Sequence, residues 1–273
     1  MTEYQFPPGK WRLIDDNAYP VQLGLAIDEI LFNQLDKCED EDKTSNIIRF
    51  YQFSPPSVVM GCHQDVREIN LDFIRSRGLE IGRRITGGGS IIMGIPNVDS
   101  QLGISIVLHI TDDFPRKLGT RYAILASGII GALQKLGINA EYQSNSDITV
   151  DGRKITGQAS YLTRDVFFLH STINLDYNLE MMLQVMGLAP NQTNISRFRS
   201  KFTTIKEQIP SITMKKLKEG LIEVFKNKFN ARLHMDPLSS EELVEARKLY
   251  ETKHSTQEYL FNLDGSTMGS CFL

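Results

Sequence analysis

The stretch Gly82-Arg83-Arg84-Ile85-Thr86-Gly87-Gly88-Gly89-Ser90-Ile91-Ile92 decides how this chain is read. A strand-like segment ends in two arginines, three glycines follow, and a β-branched run resumes. Consecutive glycines let the backbone take positive φ and bring its N–H groups to a ligand with no Cβ in the way. The paired arginines offer forked donors suited to a carboxylate or a phosphate. No Gly-Lys-Ser/Thr closes the stretch, so it is not a P-loop. Ile92 stands where a dinucleotide fingerprint wants its third glycine. On chemistry alone, a tight turn and an anion site both stay open.

A second stretch, Asp147-Ile148-Thr149-Val150-Asp151-Gly152-Arg153-Lys154-Ile155-Thr156-Gly157-Gln158-Ala159, has the alternation and Asp-Gly turn of a β-hairpin. Taken alone, Lys154 is either a solvated hairpin lysine or a cation aimed at a ligand. Arg-Arg-x-x-Gly-Gly-Gly followed by Gly-Arg-Lys-Ile-Thr-Gly-Gln-Ala resembles the lipoate–protein ligase and octanoyl/lipoyl-transferase family. The resemblance reaches from Trp11-Arg12-Leu13-Ile14-Asp15 to Lys253-His254-Ser255-Thr256-Gln257-Glu258-Tyr259.

That resemblance implies a biotin/lipoate protein ligase-like catalytic domain. Arg83, Arg84, Gly87, Gly88 and Gly89 would line the acyl and adenylate pocket. Lys154 would contact the acyl carbonyl or adenylate as the catalytic group, with Gly157 and Ala159 of the same motif beside it. Phe168-Leu169-His170-Ser171-Thr172 is similar to the family strand that approaches the lysine motif, which adds His170 to the pocket. Asp147 would help hold Mg²⁺. The implied small molecules are ATP, Mg²⁺ and lipoic acid. The implied partner is a lipoyl-domain or H-protein-like acceptor. Two departures stand out. Met93-Gly94 replaces the family's His-Asp pair after the glycines, and Ser146-Asp147, with Asn145 one place earlier, replaces its Asn-Asp.

With 273 residues, 41% hydrophobic and 23% charged, the chain has ordinary globular composition and length enough for a full core. A net charge of −3 gives no case for nucleic-acid binding. No stretch approaches the roughly 20 apolar residues that span a bilayer, and the N-terminus lacks a signal-peptide pattern. Cys38, Cys62 and Cys271 are scattered without metal-ligand spacing, which suits a reducing cytoplasm.

Along the chain, residues 21–37 read as an amphipathic helix containing the acidic pair Asp28-Glu29, and 39–43 as a charged surface loop. Strands are expected over 47–53, from 58, over 90–93, over 103–108 and over 166–175. Asn70 reads as the N-cap of a helix closed by Gly78. Residues 122–136 read as a core helix, 177–186 as a further helix, and 190–211 as a long polar loop. Helices follow over 213–229 and from Ser239, whose Ser-Ser-Glu-Glu spacing is a capping box. The order predicts α+β: a mixed sheet with helices on one side and a helical C-terminal end. Residues 1–262 are expected to form one catalytic domain and 263–273 a tail, with no accessory domain; a separate small subunit would supply that part if it is needed.

The cysteines discriminate between chemistries. A thioester donor calls for a nucleophilic thiol, whereas a free acid calls for adenylation. No cysteine lies between Cys62 and Cys271, and Cys62 itself reads as a buried small hydrophobe. The expectation is therefore a lipoate–protein ligase that forms lipoyl-adenylate with ATP and passes the lipoyl group to an acceptor lysine. The alternatives are a transferase using a ready-made donor and a non-catalytic acyl-binding protein.

Overall fold

The computed structural model describes residues 4–37, 45–143 and 146–261. In chain order come β1 (Gly9–Tyr19), α1 (Val21–Asp36), β2 (Asn46–Phe53), β3 (Ser57–Met60), α2 (Leu71–Ser76), β4 (Glu80–Arg83), β5 (Ile91–Met93) and β6 (Gln101–His109). Then follow α3 (Leu118–Lys135), β7 (Ala140–Gln143), β8 (Asp147–Val150), β9 (Arg153–Leu162), β10 (Val166–Asn174), α4 (Leu179–Val185), α5 (Gln192–Arg199) and α6 (Ile205–Gln208). The last are α7 (Met214–Lys228), β11 (Ala231–Met235), α8 (Ser240–Leu249), a π-helical turn (Tyr250–His254) and α9 (Gln257–Phe261).

The strands form an eight-stranded sheet, β11-β1-β2-β6-β10-β9-β8-β7, and a three-stranded sheet, β4-β3-β5. In the large sheet β1 runs parallel to β2 and β11, and the other pairs are antiparallel. The fold is α+β with mixed sheets. Local signals placed several ends: the Asn70 side chain caps α2, Gly78 leaves it at φ +63°, and Ser239 with Glu242 completes the capping box of α8.

Helices cover both faces of the sheet, not one. Ile104, Ile106 and Leu108 of β6 join Phe167 and Leu169 of β10 beneath Leu125 and Ile129 of α3 and Leu221 and Phe225 of α7. The intervening Val107, Val166 and Phe168 pack under Ile27 and Leu31 of α1 and Ala246 of α8. The near-continuous apolar run of β6 is the pattern of a strand buried on both sides, and this requires the second layer.

The loop expected over 190–211 is also corrected. Asn191 caps α5 by accepting from the Asn194 N–H, and Thr204 caps α6 in the same way. Between them, Phe202 makes a parallel bridge to Lys154. The polar composition had concealed Phe198 and Phe202, whose rings stack 4.8 Å apart. The expected charged loop at 39–43, the 263–273 tail and residue 262 lie outside the described residues. Among the described residues no helix is long and apolar enough to cross a membrane.

Candidate active site

Neighbouring strands of the large sheet turn one row of side chains toward the small sheet. Asp147, Gly157 and Thr172 lie side by side on β8, β9 and β10; Ala159, His170, Ser105 and Arg49 form the next row. Between these rows and the glycine loop lies a cavity of about 420 Å³. The motif residues that line it include Arg84, Gly88, Gly89, Asp147, Lys154, Gly157, Ala159 and His170. Its apolar walls include Leu25, Tyr51, Phe53, Met93, Met182, Met186, Phe198 and Phe202. A second groove, of about 550 Å³, runs between α1 and α8 and holds none of the motif residues.

Lys154 reaches this face because the β8–β9 register shifts between Ile148 and Thr149, pairing Lys154 with Thr149. Its Nζ lies 2.7 Å from Asp147 Oδ1. The arm runs over Gly157, where an added Cβ would stand 3.0 Å from both Cε and Nζ. The backbone is gripped as well: Lys154 N–H donates to the Lys201 carbonyl (2.7 Å), and Thr203 N–H donates to the Lys154 carbonyl (2.9 Å). The lysine is thus fixed at both ends.

Arg84 and Arg83 part company. Adjacent residues of an extended strand project to opposite sides, so only Arg84 enters the cavity. It donates to the carbonyls of Val59, Gly87 and Gly89 and has no carboxylate partner among the described residues. Burial draws its pKa down to about 10, which leaves it cationic at neutral pH. Arg83, expected in the pocket, instead bonds the main-chain carbonyls of Gly61, Cys62, Gln64 and Leu260. Gly87 is likewise absent from the cavity lining; its carbonyl serves Arg84. Gly88 takes φ +91°, and a Cβ on Gly61 would overlap its carbonyl oxygen, so two glycines are required where these segments cross.

His170 is the end of a buried polar chain. Its Nδ1 stands 3.3 Å from both Asp28 Oδ2 and the Tyr51 hydroxyl. Asp28 in turn takes Arg49 at 2.6 Å, and Arg49 also reaches Asp16 at 2.8 Å. Burial pulls the imidazole below its usual value; Arg84 and Arg49 add to this while Asp28 opposes it, so the ring is neutral at pH 7. Burial would raise the Asp28 carboxyl, but Arg49 and His170 hold it below the usual carboxylate range. Burial, reinforced by Asp28, pushes the Tyr51 phenol upward, so it stays protonated.

The Tyr51 ring lies across Gly103, leaving no room for a Cβ there. Gly103→Ala should displace the ring from His170, cost about 1–3 kcal/mol as an overpacked core does, and distort the cavity wall that Tyr51 forms. Melting and substrate titration of that variant check it. The sequence reading missed Tyr51, Phe198 and Phe202. The four-residue spacing of the two phenylalanines was the available helical signal.

Asp147 is the one carboxylate among the described lining residues, and no group of three or more His, Cys, Asp or Glu that could hold a metal ion occurs among the described residues. A single carboxylate completed by substrate phosphates is an arrangement Mg²⁺ accepts. Met93, where the family's His-Asp was expected to begin, packs with Val59 and Phe53 as apolar wall.

A buried cation and a lysine–carboxylate pair over an apolar cavity are chemically suited to a molecule with an anionic head and an apolar tail. The family model for the lipoyl protein ligase A/B catalytic domain matches residues 20–226, and the chain belongs to that family. Octanoyltransferase LipM of Brevibacillus brevis is 26% identical, with 92% of this chain and 98% of that protein covered. LipM of Bacillus subtilis is 26% identical over 91% of this chain and 97% of its own. Among solved structures, a bi-partite lipoate protein ligase from Thermoplasma acidophilum superposes with TM-score 0.80 at 21% identity, covering 96% of this chain and 98% of that one. A lipoate–protein ligase A bound with ATP also gives TM-score 0.80 at 21% identity, over 93% and 100%. These structures share the fold.

Proposed function

We propose that the chain transfers a medium-chain acyl group, lipoyl or octanoyl, to a lysine of a lipoyl-domain or H-protein-like acceptor, and that ATP activates the free acid. The observation that carries this reading is Arg84, a buried cation without a carboxylate partner among the described residues, in the same cavity as the Lys154–Asp147 pair. Uncompensated buried charge is costly, so an anionic ligand is its natural complement. In the first step a carboxylate oxygen of the acid attacks the α-phosphorus of ATP and pyrophosphate leaves. In the second, the acceptor amine attacks the acyl carbonyl, the bond to AMP breaks, and the amine proton passes to solvent. Lys154 stabilises negative charge developing on the carbonyl oxygen. Asp147 orients Lys154 and is the residue available to Mg²⁺, which when bound would neutralise phosphate charge.

Adenylation is favoured over a thioester donor because no described thiol lines the cavity. Cys62, the cysteine of the described residues, is buried just past β3 with its N–H on the Thr86 carbonyl, and it does not line the cavity. A second reading, transfer from a pre-activated octanoyl donor, is favoured by the two relatives named octanoyltransferase LipM. The test is pyrophosphate release from ATP with lipoate or octanoate, run with and without added accessory protein. Release that depends on the acid is expected; transfer confined to acyl-carrier-protein thioesters would replace the first reading by the second. Cys62→Ser should keep the transfer rate within a few-fold.

A further inference from the structure

Arg83 lies on the far side of the glycine loop from the cavity, 1% exposed, and it joins segments far apart in sequence. Nε and Nη2 both donate to the Leu260 carbonyl of α9, at 3.1 and 2.7 Å. Nη1 donates to Gly61 and Gln64 carbonyls, each at 2.8 Å, and to that of Cys62 at 3.3 Å. Residues 61–64 in turn lie directly on the glycine loop. Cys62 N–H donates to the Thr86 carbonyl (2.9 Å), the Gln64 amide reaches Ser90 (3.3 Å), and Gly61 abuts the Gly88 carbonyl.

The other end of the C-terminal segment is anchored to α1. Glu29 takes Lys253 on one oxygen at 2.7 Å and His254 on the other at 2.8 Å, within the π-helical turn. π-helical turns are rare and recur at functional positions. Glu29 sits beside Asp28, the residue that holds His170, so one helix turn grips both the cavity and the C-terminal segment.

We infer that Arg83 is a positioning residue that transmits the docking of residues 250–261 to the glycine loop, which makes the C-terminal segment part of the support of the site. Arg83 touches no cavity surface; it fixes the main chain of 61–64, which contacts Thr86, Gly88 and Ser90 of the loop, and between these lie the Gly87 and Gly89 carbonyls that hold Arg84. A merely local role would leave the glycine loop indifferent to the grip of α1 on the π-helical turn. A transmitting role makes Glu29, which does not line the cavity, control the loop through Leu260 and Arg83.

The test is hydrogen exchange on the full chain, comparing wild type with Arg83→Lys, Glu29→Ala and Glu29→Gln. The expected result is exchange at least about tenfold faster over 61–64 and 86–90 in Arg83→Lys and Glu29→Ala, with β6 and β10 as slow as in wild type. Glu29→Gln, which keeps one acceptor, should fall between. The double variant should exchange no faster at the loop than the worse single one, because both changes cut the same link. Exchange at 61–64 and 86–90 that stays at the wild-type rate in Glu29→Ala, while 250–261 opens, would overturn the inference. If Arg83→Lys fails to fold, Glu29→Ala alone decides. The activity readout rests on the proposed acyl chemistry: KM for the carboxylic acid should rise about tenfold in Glu29→Ala, the scale of a link worth about 1.4 kcal/mol. A wild-type chain with no acyl activity would sink the proposed function and leave the exchange result standing.

Discussion

Replacing Lys154 with alanine should leave a folded protein that transfers acyl groups at least about a hundredfold more slowly. Its pair with Asp147 is about one-third exposed on both partners, so breaking it should cost at most about 1 kcal/mol of stability. The kinetic loss is of another order. A fixed cation poised on a developing oxyanion supplies about 2.7–4 kcal/mol, or roughly 10²–10³ in rate, on the scale of a single oxyanion donor. The rigidity that makes this full value plausible is visible in the main-chain bonds to Lys201 and Thr203 and in the room left by Gly157. Melting and steady-state transfer, measured together, separate the two effects. A folded variant with near wild-type transfer would remove Lys154 from the mechanism.

Arg49→Met should produce the largest loss of stability. Arg49 is fully buried between Asp28 and Asp16, and its removal leaves two carboxylates in the interior without their cation. Breaking one partner out of a buried ionic group costs about 3–5 kcal/mol. The pH dependence has a definite sign. In the wild type the Asp28 carboxyl is depressed, so its contribution is present above the unfolded value of about 3.9 and is lost as pH falls through the lower folded one. In the variant that contribution is gone, and burial alone would raise the same carboxyl. The difference between the two proteins should therefore be widest near neutrality and shrink as pH falls toward 4. Urea unfolding at the two pH values reads it directly. An equal gap at both would contradict the ionic account of this cluster.

Much of this structure was legible because local chemistry forced it. Asp151 and Gly152 take φ +50° and +72°, the left-handed pair that an Asp-Gly hairpin turn requires, and that turn delivers Lys154 to the sheet. The capping residues Asn70 and Ser239 fixed helix starts in the same local way. What depends on distant partners was not legible. The parallel placement of β11 beside β1 joins residue 9 to residue 231, and no local pattern announces it. Arg83 and Arg84 look equivalent in a sequence, yet strand alternation sends one to the cavity and the other to α9. The one-sided expectation for the helices failed because apolar residues in β6 serve two cores at once. Phe198 and Phe202 were masked by polar neighbours in a segment whose caps, Asn191 and Thr204, resemble loop composition.

The most direct measurement is the mass of an apo lipoyl domain after incubation with this chain, lipoate and MgATP. The prediction is a gain of one lipoyl group on the acceptor lysine, abolished when ATP or lipoate is left out and strongly slowed in Lys154→Ala. An acceptor of unchanged mass, under conditions where a preformed lipoyl-adenylate or an octanoyl thioester does modify it, would contradict ATP-driven activation at this cavity.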